Sequence, residues 1–136
     1  MADKQGSVTF DSIMRDLRAG NYRPVYLLAG DEPYYIDKIA DYITENALKP
    51  EERDFNQTIF YGLDTSPMQV MDSARAVPVM AERQVIVVRE AQLMRGIENM
   101  EKYFRKPDPS TILVLCYKKE PPKAKKGWAA EAAKNG

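Results

Sequence analysis

The sequence predicts an α/β fold in which a mostly parallel sheet carries helices on both faces. Four short apolar runs have the length of β-strands, and helix signals lie between them. The runs are continuous rather than alternating, which is typical of strands that are covered on both faces. They occupy residues 25–29, 55–61, 85–88 and 111–117. Alternation of strands with helical crossovers indicates a parallel sheet and a single layered domain.

The helices are predicted from spacing and from end signals. Phe10, Ile13, Met14 and Leu17 follow helical spacing, with Thr9 as the cap and Gly20 as the end. After the turn at residues 30–33, a second helix is expected over about residues 34–47, with Ile36, Ile39, Ala40 and Ile43 on its inner face.

Further along the chain, residues 49–54 have the character of an exposed loop. Ser66-Pro67 then begins a third helix, because it combines a cap residue with a proline in the first turn. That helix directs Val70, Met71 and Ala74 inward and ends near residues 76–78. A fourth helix is expected over about residues 96–104.

Composition restricts the chemistry that is open to the chain. It has 136 residues, 44% of them hydrophobic and 29% charged, which suits one globular domain without a membrane span. There is no histidine, so the commonest general base and metal ligand are missing, and the net charge of zero argues against an electrostatic clamp on DNA. The single cysteine, Cys116, excludes an internal disulfide, and its apolar surroundings predict a buried, inert thiol. Without a signal sequence, these features predict a cytoplasmic protein.

The turn after the first strand fails as a phosphate-binding loop. Such a loop has the pattern G-x-x-x-x-G-K-[ST]. Counted from Gly30, the second glycine falls on Tyr35, the lysine on Ile36 and the hydroxyl residue on Asp37. Two tyrosines and several carboxylates stand where a phosphate would lie, so we expect a turn that keeps the topology without a nucleotide.

The ends of the third and fourth strands also lack the residues that a nucleotide hydrolase needs. Nucleotide hydrolases place an Asp for magnesium after the third strand, followed by a Glu that orients water. Here Arg89 replaces the first acid, and a cation cannot ligate magnesium, while Glu90 alone says little. Lys118, after the fourth strand, is interpreted as a solvated residue more readily than as a phosphate ligand. We therefore predict a nucleoside-triphosphatase-like fold with a degenerate site, no catalytic residues, no metal and no cofactor.

Two segments resemble the bacterial DNA polymerase III delta subunit. They are residues 25–36, VYLLAGDEPYYI, and residues 74–88, ARAVPVMAERQVIVV. The resemblance implies an AAA+-like domain that lacks an ATP site and belongs to the clamp loader. The delta subunit binds the ring-shaped sliding clamp, the beta subunit, and opens it for loading onto primed DNA. It implies work beside the gamma/tau ATPase and delta prime, contact with DNA through the assembled complex, and a place in the cytoplasmic replisome.

The same resemblance implies how the chain is organised and where it contacts the clamp. The family's subunit has three domains, so we expect residues 1–136 to be the first of them, with an incomplete last helix. The clamp-contacting pair of the family carries over onto Val79 and Met80, with Pro78 shaping the turn; many relatives have larger residues, Leu or Phe, at these two positions. The domain itself is expected to be non-catalytic, although the holoenzyme is a DNA-directed DNA polymerase.

Several alternatives remain open from the residues. Apolar residues in a loop such as 76–80 are commonly buried against their own domain. The chain could instead be a divergent ATP- or GTP-binding domain, or another α/β protein-interaction module such as a receiver domain, although the residues for either chemistry are missing. The lysine-rich segment at residues 118–126, with Trp128, is either a solvated connection or a DNA contact.

Overall fold

The computed structural model describes residues 10–30 and 33–118. Its helices are α1 (Phe10–Arg18), α2 (Pro33–Asn46), α3 (Pro50–Asn56), α4 (Pro67–Arg75) and α5 (Glu101–Arg105), and its strands are β1 (Val25–Ala29), β2 (Gln57–Tyr61), β3 (Gln84–Arg89) and β4 (Thr111–Tyr117). Short 3-10 turns occupy Gly62–Asp64, Ala91–Leu93 and Ile97–Met100. The predicted cap Thr9, residues 31–32, the lysine-rich segment beyond Lys118 and the incomplete last helix lie outside the described residues.

The four strands form one parallel sheet in the order β1-β4-β3-β2, which confirms the predicted fold class. β3 and β4 are the central strands and are almost completely buried. Side chains that alternate along β3 enter different cores. Val85 and Val87 pack with α1 and α2, whereas Ile86 and Val88 pack with α4 and α5. The continuous apolar runs therefore arise because both faces of these strands are covered.

The inner faces predicted for the helices are confirmed. Ile36, Ile39, Ala40 and Ile43 of α2 are all buried. In α4, Val70, Met71 and Ala74 are buried, and the Ser66 Oγ accepts a hydrogen bond from the Gln69 N–H, as expected of an N-cap residue. Gly20 ends α1 with a φ of +82°, a left-handed conformation that favours glycine.

The prediction of an exposed loop at residues 49–54 is wrong, because most of that segment forms α3. The Glu52 carboxylate accepts a hydrogen bond from the Lys49 N–H at 3.0 Å, and Pro50 occupies the first turn, where it needs no hydrogen-bond donor. Consequently β2 begins at Gln57 rather than at Phe55. The helix predicted over residues 96–104 begins as the 3-10 turn Ile97–Met100 and becomes α-helical only in α5.

Among residues 10–30 and 33–118, none of the helices combines the length and the apolar character that crossing a bilayer requires.

Candidate functional site

The loop after β1 lies at the carboxyl edge of the sheet, where a nucleotide binds in related folds. Gly30 adopts a φ of +136°, a conformation that favours glycine, and its N–H donates to the Tyr117 carbonyl. The Tyr35 ring packs against that of Phe10 in a tilted arrangement, with ring centroids 4.9 Å apart. Ile36 is buried in the core against the sheet. The position that would carry the phosphate-binding lysine is therefore used for packing.

A network of ion pairs occupies the rest of this carboxyl edge. The Arg89 guanidinium lies 3.1 Å from Asp41 and 3.7 Å from Asp37. The Lys118 ammonium lies 3.1 Å from Asp37 and 3.4 Å from Glu90. We call these five residues the edge ion network. Each of its three carboxylates is paired with at least one of its two cations, so the acids do not stand free to hold magnesium.

Electrostatics within the edge ion network favour the charged form of its lysine. Partial burial lowers the pKa of Lys118. The hydrogen bond and the negative charge of Asp37, together with those of Glu90, raise that pKa by more than burial lowers it, so the net shift is upward. The side chain of Gln92 extends the network, because it donates to Glu90 at 2.7 Å and accepts from the Lys118 N–H at 3.0 Å. In the described part of the chain, no group of three or more acidic or sulfur ligands converges on a point where a metal ion would bind.

The opposite edge of the sheet carries a solvent-facing apolar turn, residues 77–80, which we call the tip. It lies in the loop that joins α4 to β3. Met80 is 97% exposed, Val77 84% and Val79 50%. The alternative in which these side chains are buried against their own domain therefore does not hold. Large apolar side chains that project together from a soluble domain are typical of a protein-interaction site.

A buried asparagine holds the middle of the tip. The Asn56 Oδ1 accepts from the Val79 N–H at 2.6 Å, and the Asn56 Nδ2 donates to the Val79 carbonyl at 2.8 Å. Both backbone polar groups of Val79 are thus satisfied by one side chain that is only 2% exposed. Met80, the next residue, has a φ of +54°, which is uncommon for a residue with a side chain. The backbone of the tip is therefore held in one definite turn.

A second buried amide holds the base of the same loop. The Gln84 Nε2 lies 2.9 Å from the Ser73 carbonyl and 2.8 Å from the Ala76 carbonyl, at the end of α4. It also lies 3.1 Å from the Thr111 Oγ1. The carbonyls at the end of a helix lack donors from a following helical turn. The side-chain amide of Gln84, at the first position of β3, donates hydrogen bonds to these carbonyls.

Sequence reasoning singled out Pro78, Val79 and Met80 but missed Asn56 and Gln84. The structure places the first three together on the tip and places Gly30, Tyr35, Ile36, Asp37, Arg89 and Glu90 at the opposite edge of the sheet. The only signal for Asn56 and Gln84 was a polar amide next to an apolar strand, and such a signal does not name its partners.

Fold and site together define a class of protein: an AAA+-like α/β domain whose nucleotide-site positions are filled by packing and ion pairs. A DNA polymerase III gamma subunit-related protein from Thermotoga maritima has a similar fold, with a TM-score of 0.50 and 14% identity over 76% of this chain and 38% of that one. The family model described as DNA polymerase III, delta subunit, matches residues 26–136, and the chain belongs to that family. The family resemblance seen in the sequence is thereby confirmed.

Two proteins from Bacillus subtilis are similar to the chain, one in sequence and one in fold. The chain is 29% identical to DNA polymerase III subunit delta over 119 residues, which cover 79% of this chain and 34% of the relative. The solved structure of the DNA clamp loader delta protein has a TM-score of 0.84 and 24% identity, and the match covers 94% of this chain and 41% of that one. The chain thus spans about a third to two fifths of the length of these relatives.

Proposed function

We propose that this chain is the clamp-contacting domain of a clamp-loader delta subunit, which binds the sliding clamp through Pro78, Val79 and Met80 and helps to open it for loading onto primed DNA. The observation that carries the proposal is the tip: an exposed apolar turn whose backbone is fixed before any partner arrives. Membership of the delta family supplies the partner class, and the Bacillus subtilis protein of similar fold is a DNA clamp loader delta protein.

The size of the tip is consistent with an anchor rather than with a whole interface. Full burial of a Val or Met side chain contributes about 1.5–3 kcal/mol. Met80 has almost its entire side chain to bury, whereas Val79 is already half-buried. A micromolar complex requires about 8 kcal/mol. The tip would therefore supply a large part of the binding free energy, and neighbouring surfaces would supply the rest.

The proposal includes the absence of catalysis by this domain. The edge ion network and the buried Ile36 leave the nucleotide-site positions occupied by the protein's own side chains. ATP would then be bound by neighbouring subunits, the gamma/tau ATPase, in a cytoplasmic complex that also contains delta prime and meets DNA as an assembly. Titration of the chain with magnesium-ATP in a calorimeter tests this part, and binding in the micromolar range would contradict it.

The binding experiment uses the full natural chain and the sliding clamp of the same organism on a surface plasmon resonance chip. Wild-type chain is compared with Val79→Asp/Met80→Asp, which places two charges on the proposed contact. A matched control, Leu63→Asp/Met68→Asp, changes two other exposed apolar residues, which lie at the opposite edge of the sheet.

We expect the control to bind like wild type and the tip variant to lose at least a hundredfold in affinity, because an unpaired charge would enter an apolar contact. Equal losses in both variants would point to a general effect of charge. Binding that survives in the tip variant would move the contact elsewhere, and no binding by a folded wild-type chain would reject the proposed function. A clamp-opening assay with the same variants tests the second half of the proposal.

A further inference from the structure

We propose that Asn56 is a positioning residue that keeps the tip in its binding-competent turn. The inference rests on the proposed function, because it concerns how the tip is prepared for its partner. Asn56 itself is buried and presents nothing to solvent, so it acts through Val79 rather than by contact.

The geometry of the two hydrogen bonds carries the argument. They join Asn56 to both the N–H and the carbonyl of a single residue, 23 positions away in the chain. A side-chain amide that pairs with a backbone unit in this way fixes its orientation as a strand neighbour would. Val79 and Met80 then leave the loop in defined directions, and Met80 accepts a left-handed φ that an unsupported loop would rarely hold.

Asn56 is itself held in place by a hydrogen bond within α3. Its Nδ2 also donates to the Glu52 carbonyl at 3.1 Å, one turn back in α3. The first turn of α3 is closed by the hydrogen bond between the Lys49 N–H and the Glu52 carboxylate. The Arg53 guanidinium donates to the Glu45 carbonyl and so ties α3 to the end of α2. The position of the tip is therefore fixed by hydrogen bonds to α3, which is in turn tied to α2, and not only by contacts within its own loop.

These hydrogen bonds matter for affinity, because a loop that adopts several conformations binds its partner only from the binding-competent one. The apparent dissociation constant equals the intrinsic constant divided by the competent fraction. If the tip of an Asn56 variant is competent about a tenth of the time, binding weakens about tenfold and the association rate falls by a similar factor. The contact surface itself remains unchanged.

The test compares Asn56→Ala with Asn46→Ala in the full natural chain, again against the clamp. Asn46 is a matched control, since its Nδ2 also donates to a carbonyl four residues earlier, that of Tyr42, at 2.9 Å. Its side chain is exposed, and its amide donates within α2 rather than to the tip. Hydrogen exchange of the Val79 amide is measured beside that of the β3 amides. Each substitution is also made in a Met80→Ala background.

We expect Asn46→Ala to bind like wild type and Asn56→Ala to bind about tenfold more weakly. Exchange at Val79 should become faster while the β3 amides keep their protection. The loss should have the same factor in the Met80→Ala background, because the competent fraction divides the intrinsic dissociation constant whatever the contact surface contributes. A defect of folding would instead lower the protection of the β3 amides together with that of Val79.

Wild-type affinity in Asn56→Ala, or a loss of affinity without faster exchange at Val79, would overturn the inference and leave the proposed function standing. If β3 also loses protection in Asn56→Ala, the isosteric Asn56→Asp replaces it as the test. That variant keeps the acceptor for the Val79 N–H and removes the donor to the Val79 carbonyl, and unchanged affinity there would overturn the inference. Failure of the wild-type chain to bind the clamp would instead reject the proposed function, and this inference with it.

Discussion

Replacing Gln84 with methionine tests how the end of α4 and the base of the tip loop are held together. The two side chains are similar in length, so packing changes little, but every hydrogen bond from the amide is lost. An amide nitrogen has two hydrogens, so only two acceptors are fully served at once. The shortest distances are to the carbonyls of Ala76 and Ser73, at 2.8 and 2.9 Å.

Each of these hydrogen bonds has a net value of about 1 kcal/mol, and a buried carbonyl left without a partner costs about 1–3 kcal/mol. The Ala74 carbonyl keeps a partner in the Thr111 Oγ1, and the Ser73 carbonyl keeps one in the Ala76 N–H at 3.2 Å, so only the Ala76 carbonyl is left without a partner. Gln84→Met should therefore lower the free energy of unfolding by about 1–3 kcal/mol. With a slope of about 1–3 kcal/mol per molar urea, the midpoint falls by about 0.3–3 M at an unchanged slope.

The control is Gln69→Met, on the exposed side of α4, where we expect a change within about 0.5 kcal/mol. Urea unfolding followed by circular dichroism measures both variants. A Gln84→Met protein as stable as the control would refute the reasoning that this amide secures the helix end.

Three further predictions concern other parts of the fold. Gly62→Ala should lower the free energy of unfolding by more than about 2 kcal/mol in the same urea assay, because the added Cβ would lie 2.1 Å from the Glu90 carbonyl oxygen; stability like wild type would show that this backbone yields. Lys118→Met should cost only about 0.2–1 kcal/mol, since its partners are half-exposed. The raised pKa of Lys118 means that its stabilising contribution is present at neutral pH and is lost above about pH 10.5, so the difference between variant and wild type should vanish there. Burial raises the pKa of Cys116 to about 11, so the thiol should resist a thiol reagent at pH 8 until denaturant is added, and fast labelling of the native chain would contradict this.

Much of the fold could be predicted because it depends on local patterns. β1 and β4 coincide with their apolar runs, and the four inner residues of α2 are spaced at one face of a helix. These patterns survive because both faces of the sheet need apolar cover, which leaves little choice of residue. The error at residues 49–54 has a different origin. Charged residues were interpreted as a loop, whereas a capping interaction between Lys49 and Glu52 makes the same residues the start of α3.

The supports of the candidate site could not be predicted, because their partners are distant in the chain. Asn56 pairs with Val79 across 23 positions, and Lys118 reaches Asp37 across 81. No periodicity or short motif encodes such contacts. The tip residues themselves were found only through the family resemblance, and their exposure became evident only from the structure.

The proposed binding surface of this chain lies at the opposite edge of the sheet from the one that binds the ligand in a nucleotide-binding protein. Ligands of open parallel sheets bind at the carboxyl ends of the strands. In this chain, that edge carries Arg89, Lys118 and their acidic partners, while the tip, an exposed apolar turn, lies at the amino end of β3. The six residues of β3 separate the two edges by roughly 20 Å, and substitutions that far apart normally act additively. The edge ion network therefore takes the place of the ligand that such a fold usually holds, because it joins α2 to the carboxyl ends of β3 and β4 through the protein's own side chains.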